Sequence, residues 1–525
     1  MLMPLELFQT ILRQIDRLLV YLNIRPFGLR PPRSVSRTLE TSNHDVVLPT
    51  TIMRPLHELQ KEALALFSEP CNIQRMSHMS VCLKAAYVKK LRCGTECMLP
   101  SFCHRLPTGR EKGTFIALDM GGSTFRVALV ELSTESAGDG GMRIRHMTVN
   151  KINESIRKLP ARAFFAWMAG KMQEMLHQCK DAQICQDDFF SVGLCWSFPV
   201  EQTSHQGGTV QPMGKGFKAH EGVIGQDLGY LIESACRELG LEVRVNAIVN
   251  DSSATLLSQA YKDPTTTMSV ILGTGTNAAV YLPVSDLGPV KFGMRDSLWF
   301  AQAERVIINT EVSMFGKGIL PETRWDEELN CAHIAPNFQP LEYMTTGRYL
   351  GEILRLVIVE AVATCEMFGG LMPETLKDPY TLDTAVLAAI EEDTTVGCIS
   401  SAESIQKEFG LLNLPTSAEM AFMRAVIEAI SQRAAAYMAT ALHALWSLQR
   451  GQSRESTSKT SVAANGSVLL MYPGFRSRCQ RYIADLIAAG QPALSSSCNH
   501  QVLILATSEA TILGVAVAVA IADAT

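Results

Sequence analysis

No run of apolar residues in this 525-residue chain reaches the roughly 18 needed to cross a bilayer as a helix. The most apolar stretch, Ile512 to Ala522, follows Ser508 and Glu509 and is rich in Ala and Val, so a buried helix is expected there. The 14 cysteines are too few and too scattered for a disulfide scaffold. Their closest grouping, Cys93, Cys97 and Cys103 with His104, lacks the paired spacing of a zinc site. Buried or half-buried thiols in a reducing compartment are the expectation. Basic surplus is missing too: 47 Lys and Arg face 52 Asp and Glu, a net charge of −5, which argues against a surface built to neutralise nucleic acid. Neither GxxxxGK[ST] nor a GxGxxG after a strand occurs. A Walker loop and a dinucleotide fingerprint are thereby excluded.

What is present is the balance of an ordinary globular protein, 47% hydrophobic and 19% charged, which rules out disorder of the whole chain. The length suggests roughly two to four domains and a core large enough to need no staples. Near the start, Leu5, Phe8, Ile11, Leu12, Ile15, Leu18, Leu19 and Leu22 recur at helical spacing, with Arg13 and Arg17 between them. A stretch with Arg25, Pro26, Arg30, Pro31, Pro32, Arg33 and Arg37 follows, expected to be extended. Three readings fit residues 1–24: a helix docked on this protein or a partner, a helix on an anionic membrane surface, or an organellar presequence. Further on, a long helix is expected from Thr416 to Leu448, then an exposed polar loop over Gln449 to Ser461.

The main chemical signal starts at Thr114, in TFIALDMGGSTFRVALVEL. An apolar run ends at Asp119, Gly121 and Gly122 turn the chain, and Phe125 to Glu131 runs apolar again: strand, tight turn, strand. The two glycines can take positive φ and bring backbone N–H groups to an anion. An acid at the head of such a turn suits a hydrated magnesium ion. The same grammar recurs from Met268, with Gly273, Thr274, Gly275 and Thr276 in the turn. Two such hairpins suggest two similar lobes gripping one polyphosphate.

The pair GGSTFR and GTGTN resembles the nucleotide cradle of the actin-like ATPase superfamily and, within it, the hexokinase family. The resemblance runs from about Leu56 to Ala524 through MLPSFCHRLPTGREKGTFIALDMGGSTFRV, SVGLCWSFPVEQ, GKGF, IVNDSSATL, ILGTGTNAA, INTEVSMFG, PLEYMTTGRYLGEILRL and VAANGSVLLMYPGF. It implies an α/β fold of two lobes closing over a central cleft. The lobes would be a small domain over residues 113–247 and a large one over 248–507. Lead-in helices would fill 46–112, after an amphipathic helix and basic linker at 1–45, and a last helix at 508–525 would return to the small domain.

The resemblance further implies an ATP-dependent hexose kinase using Mg2+ and phosphorylating the 6-hydroxyl of glucose, with fructose and mannose as further substrates. Asp251 would be the general base, assisted by Lys215. Ser197, Phe198, Lys215, Asn250, Asp251, Asn277, Glu311 and Glu342 would hold the sugar. The phosphates and the hydrated metal would lie among Asp119, Gly121, Gly122, Ser123, Thr124, Arg126, Gly273, Thr274, Gly275 and Thr276, with Gly466 and Ser467 beside the adenosine. No metal is expected to be ligated directly by protein. Residence in the cytoplasm, or on an organelle such as the mitochondrial outer membrane, goes with this reading.

Several positions depart from the family pattern. GGSTFR stands for GGTNFR, and Met213 and Gly214 replace a Trp and a sugar-contacting Thr. Ser253 and Ala254 follow the base, NTEVSMFG replaces NTEWGAFG, AANGS replaces ADGS, and Ala510, Thr511 and Ile512 take the place of GSG. The lost threonine hydroxyl alone removes a hydrogen bond worth about 0.5–1.5 kcal/mol. Two functions therefore stay open: a hexose kinase, or a sugar-binding regulator on the same fold with weak or absent transfer. A different actin-like ATPase would not account for Glu311, Glu342 and GKGF.

Overall fold

A computed structural model describes residues 53–134, 141–179, 189–214, 216–450, 459–490 and 500–523. The segment 1–24, the basic linker, most of the 449–461 loop and Lys215 lie outside the described residues.

Among the described residues, thirteen strands build two main sheets and one small hairpin. In the first, β2 (Gly113–Met120), β3 (Thr124–Leu132) and β4 (Met142–Lys151) form an antiparallel meander. Then β5 (Phe190–Trp196) and β8 (Val243–Val249) add in parallel beside β2, giving the order β4-β3-β2-β5-β8. The second sheet repeats the plan with β9 (Thr266–Leu272), β10 (Thr276–Pro283) and β11 (Arg305–Asn309) as the meander. Its parallel additions are β12 (Lys459–Asn465) and β13 (Gln501–Ala506), and β1 (Leu99–Pro100) extends the far edge. The remaining strands, β6 (Val200–Gln202) and β7 (Gly208–Val210), pair with each other, and Thr209 of β7 also bridges to Asp227. Each glycine turn read from the sequence joins the first two strands of its meander. The internal echo is thus a repeated sheet topology.

The central strand β2 is buried from Phe115 to Met120 without alternation, as expected of a strand covered on both faces. The cover on one side comes from the far end of the chain. Helix α1 (Asp251–Lys262) leaves β8 of the first sheet but packs on β9, β10 and β12 of the second. Helix α3 (Ala510–Asp523) leaves β13 of the second sheet but packs on β2, β3, β5 and β8 of the first. The two sheets therefore exchange their final helices, and the helices pack on one another in a shared core with Ala117, Ala128, Ala247, Ala279 and Ile307. Between them in sequence, helix α2 (Ser417–Arg450) spans about 51 Å at the usual rise per residue and carries the core of the larger sheet.

The helix expected at 416–448 is found at Ser417–Arg450, two residues into the expected loop, and the one expected at 512–522 at Ala510–Asp523. No helix among the described residues is long and apolar enough to cross a membrane. Among the described cysteines, Cys97, Cys103, Cys195, Cys236, Cys398 and Cys479 are buried, whereas Cys93 and Cys331 are exposed.

Candidate active site

The parallel register sets the site. Asp119 on β2 lies beside Cys195 on β5, and Cys195 beside Val249 on β8. Two residues past Val249 stands Asp251, the first residue of α1. Burial pushes the Cys195 thiol well above its ordinary pKa, and the nearby Asp119 and Asp251 carboxylates push it further. Asn250 is the helix N-cap: its side chain accepts from Ser253 N at 2.9 Å and donates to Ser252 Oγ at 2.9 Å. The Asp251 carboxylate accepts from Ser252 N at 2.8 Å, where the helix N-terminus favours negative charge. Capping thus fixes Asn250 and Asp251 in place. Ser269 Oγ on β9 donates to the Ser252 carbonyl at 2.6 Å and fastens this helix start to the second sheet.

At the first turn, Gly121 N donates to Thr124 O at 3.0 Å. Ser197 N donates to Met120 O at 3.1 Å, which brings the start of the sugar segment against the turn. Contrary to the expectation, neither Gly121 nor Gly122 adopts positive φ. Arg126, the cross-strand partner of Asp119, donates to Asp119 Oδ2 from Nε at 2.9 Å and also from Nη2. It reaches Glu509 Oε2 through Nη1 at 2.7 Å and Thr511 Oγ1 through Nη2 at 2.6 Å. A second cation, Arg157, donates to Gly122 O at 3.0 Å.

The second turn explains its glycines by proximity. A β-carbon on Gly273 would stand 3.3 Å from Ser467 N, so the turn and the expected adenosine segment are in contact. Gly466 itself has φ 103°, and a β-carbon there would meet Leu272 O at 2.4 Å. Glu342 Oε2 accepts from Thr276 N at 3.1 Å, tying the expected sugar ligand to the same turn. On the adjacent strands, Asn277 Nδ2 donates to Asn309 Oδ1 at 2.9 Å, and Asn309 Nδ2 donates to Glu311 Oε1 at 2.9 Å. Glu311 holds left-handed backbone, φ 49°, the kind of strain that collects at functional sites.

The structure therefore gathers Asp119, Arg126, Ser197 and Asp251 at the ends of the first sheet. It gathers Asn277, Glu311, Glu342, Gly273 and Ser467 at the second. Phe198 is buried against Trp196 and Phe217, with ring centroids 5.2 and 4.8 Å away. Ser123 and Thr274 are exposed at the tips of the two turns. Arg157, Asn309, Glu509 and Thr511 were not expected as site residues. Thr511 and the residues around it carried the only signal, as a departure from the family pattern.

Two sheets of one topology, each offering a glycine turn with its own carboxylates and amides, are the arrangement of a phosphotransferase on the actin-like ATPase fold. Family models described as hexokinase match residues 66–261 and 267–521. Hexokinase-1 of Saccharomyces cerevisiae is 30% identical over 84% of this chain and 87% of the relative. A hexokinase-like 1 protein of Arabidopsis thaliana is 32% identical over 74% of this chain and 77% of the relative. Among solved structures, a hexokinase from Schistosoma mansoni complexed with glucose has the same fold, with a TM-score of 0.72 at 24% identity, covering 89% of this chain and all of that one. Another hexokinase crystal structure gives 0.71 at 26% identity, covering 89% of this chain and 99% of that one. The chain belongs to the hexokinase family and is, by class, a hexose kinase phosphotransferase.

Proposed function

We propose that this protein transfers the terminal phosphoryl group of Mg·ATP to the 6-hydroxyl of glucose or a related hexose, with Asp251 as general base. The observation that carries the reading is the row of Asp119, Cys195 and Val249. It sets one carboxylate at a glycine turn and another at a helix N-terminus near a single thiol. In the transfer, the hydroxyl oxygen bonds to the terminal phosphorus as the bond to the bridging oxygen breaks and ADP leaves. Asp251 takes the hydroxyl proton. Ser197, Phe198, Lys215, Asn250, Asn277, Glu311 and Glu342 orient the sugar, and Glu342 couples that grip to the second phosphate turn.

The residues fit a hydrated magnesium ion that arrives with the nucleotide. Asp119 is a single carboxylate with Oδ2 committed to Arg126 and Thr511. No group of three or more His, Cys, Asp or Glu among the described residues could cage a metal. Such a donor set suits Mg2+ held by phosphates and water, where it neutralises phosphate charge. Gly121, Gly122, Ser123, Thr124, Thr274, Gly275 and Thr276 would face the phosphates, and Gly466 and Ser467 the adenosine.

Asp251→Asn tests the base. Turnover should fall by about 10²–10⁴ while the hexose-dependent fluorescence of buried Trp196 persists. Undiminished turnover would remove Asp251 from that role.

One observation favours the second reading, a sugar-binding regulator. Met213 is buried, 2% exposed, and Gly214 is left-handed at φ 67°. The loop leading to Lys215 follows a path that a threonine at 214 would resist. ADP release measured with Mg·ATP and glucose, fructose or mannose decides between the two. A saturable fluorescence change without release would establish the regulator. Cytoplasmic residence, with residues 1–24 on an organelle surface, is part of the proposal. Fractionation of cells carrying the chain with and without those residues tests it.

A further inference from the structure

Arg126 is held by two carboxylates of different standing. Asp119 is its cross-strand neighbour within the sheet, with a side chain 11% exposed. Glu509 comes from the far end of the chain, between β13 and α3, and its side chain is 40% exposed. The guanidinium turns Nε and Nη2 inward, to Asp119 Oδ2 and Thr511 Oγ1. Thr511 Oγ1 also donates to Asp119 Oδ2 at 3.1 Å, which closes that inner triangle. Only Nη1 reaches outward, and its acceptor is Glu509 Oε2 at 2.7 Å. Glu509 makes this contact from left-handed backbone, φ 47°, which a non-glycine residue adopts at a cost.

The outward edge of an arginine fork is what a phosphate group uses. A phosphate brings more charge and more acceptor oxygens than a carboxylate, and the planar fork matches them. The inner partners are buried and joined to one another, so they are not the ones a ligand would replace. Glu509 is the exchangeable partner.

We propose that Glu509 is a placeholder on Arg126, displaced by a phosphate of the nucleotide, and that it thereby lowers the affinity of this protein for ATP. The proposal rests on the reading of the two glycine turns as a nucleotide site. It adds a residue that opposes binding to those expected to support it.

Two variants test it. Glu509→Gln keeps the size and removes the charge. Glu509→Asp keeps the charge but withdraws it from Arg126 by one methylene. Binding of a non-hydrolysable Mg·ATP analogue to the full chain is measured by calorimetry. Both variants should bind about two- to fivefold tighter than the unaltered protein, the range of an exposed ion pair. Adenosine binding and the hexose-dependent Trp196 signal should not change. If only Glu509→Gln gains affinity, the effect is charge at a distance and the placeholder is overturned. Weaker binding by either variant overturns it as well, because Glu509 would then support the nucleotide. If the unaltered protein binds no analogue, the nucleotide reading of the turns has failed instead, and that result is seen before any variant is compared.

Discussion

Gly514 lies so close to the backbone of Ala254 that a β-carbon on it would stand 1.8 Å from the Ala254 carbonyl oxygen. This is the point where the two exchanged helices cross between the sheets. Gly514→Ala must push the helices apart and should cost about 1–3 kcal/mol or more, the range for overpacking a tight core. Gly170→Ala, on a helix where a β-carbon would meet nothing within 4 Å, should instead gain up to about 1 kcal/mol. Denaturant unfolding of the two variants side by side checks both signs. Equal stability would mean that the crossing yields without strain.

The hairpins around Asp119 and Gly273 were legible because strand, glycine turn and strand are local and periodic. The exchange of helices was not legible in the residues themselves; the resemblance alone implied that the last helix returns to the small domain. The composition of Ile512 to Ala522 says that a helix is buried, but says nothing of which sheet it covers, because that choice is made by contacts with Gly193, Ala254 and β2 far away in sequence. Arg157 was missed for a related reason. It sits on a four-residue helix, Glu154–Arg157, too short to show periodicity, and only the fold carries it to the Gly122 carbonyl. The positive φ expected at Gly121 and Gly122 came from composition. The actual turn closes without it.

Arg433 and Asp326 form a buried bidentate pair, with contacts of 2.5 and 2.7 Å and side chains 0% and 3% exposed. Asp326 also caps its own helix by accepting from Thr323 N at 2.7 Å. Asp326→Ala leaves the guanidinium buried without a counter-charge and should cost about 3–5 kcal/mol. Replacing both, as Asp326→Leu with Arg433→Met, should recover a large part of that loss. Chemical denaturation of the single and double variants reads the difference. A single variant as stable as the unaltered protein would mean that solvent reaches the pair.

His443 gives a pH dependence whose sign follows from its surroundings. Burial, and then the nearby Lys84 charge, lower its pKa from 6.5 to about 4, and its Nδ1 lies 2.8 Å from Ser80 Oγ. Between those two values the unfolded chain binds a proton here that the folded protein refuses. Stability from this residue is therefore complete above about pH 6.5 and declines as pH falls toward 4. The loss should approach about 2–3 kcal/mol at the acid end. His443→Gln should flatten that part of the stability curve relative to the unaltered protein. Parallel curves for the two proteins would mean that His443 is protonated in the fold.

Gly121 offers the sharpest separation of fold from ligand. Its φ is ordinary, and a β-carbon would come no nearer than 3.5 Å to the Thr124 carbonyl, so the turn itself tolerates alanine. Gly121→Ala should leave thermal stability unchanged or slightly raised. If a phosphate approaches the backbone N–H groups of this turn, the added methyl should weaken Mg·ATP binding by about tenfold or more, roughly 1.4 kcal/mol. Gly466→Ala should behave in the opposite way, because its φ of 103° and the Leu272 carbonyl at 2.4 Å make the glycine a requirement of the fold. It should lose stability and nucleotide affinity together. A Gly121→Ala protein that melts early but binds Mg·ATP normally would move this glycine from the ligand to the turn, and the first hairpin would lose its place in the phosphate site.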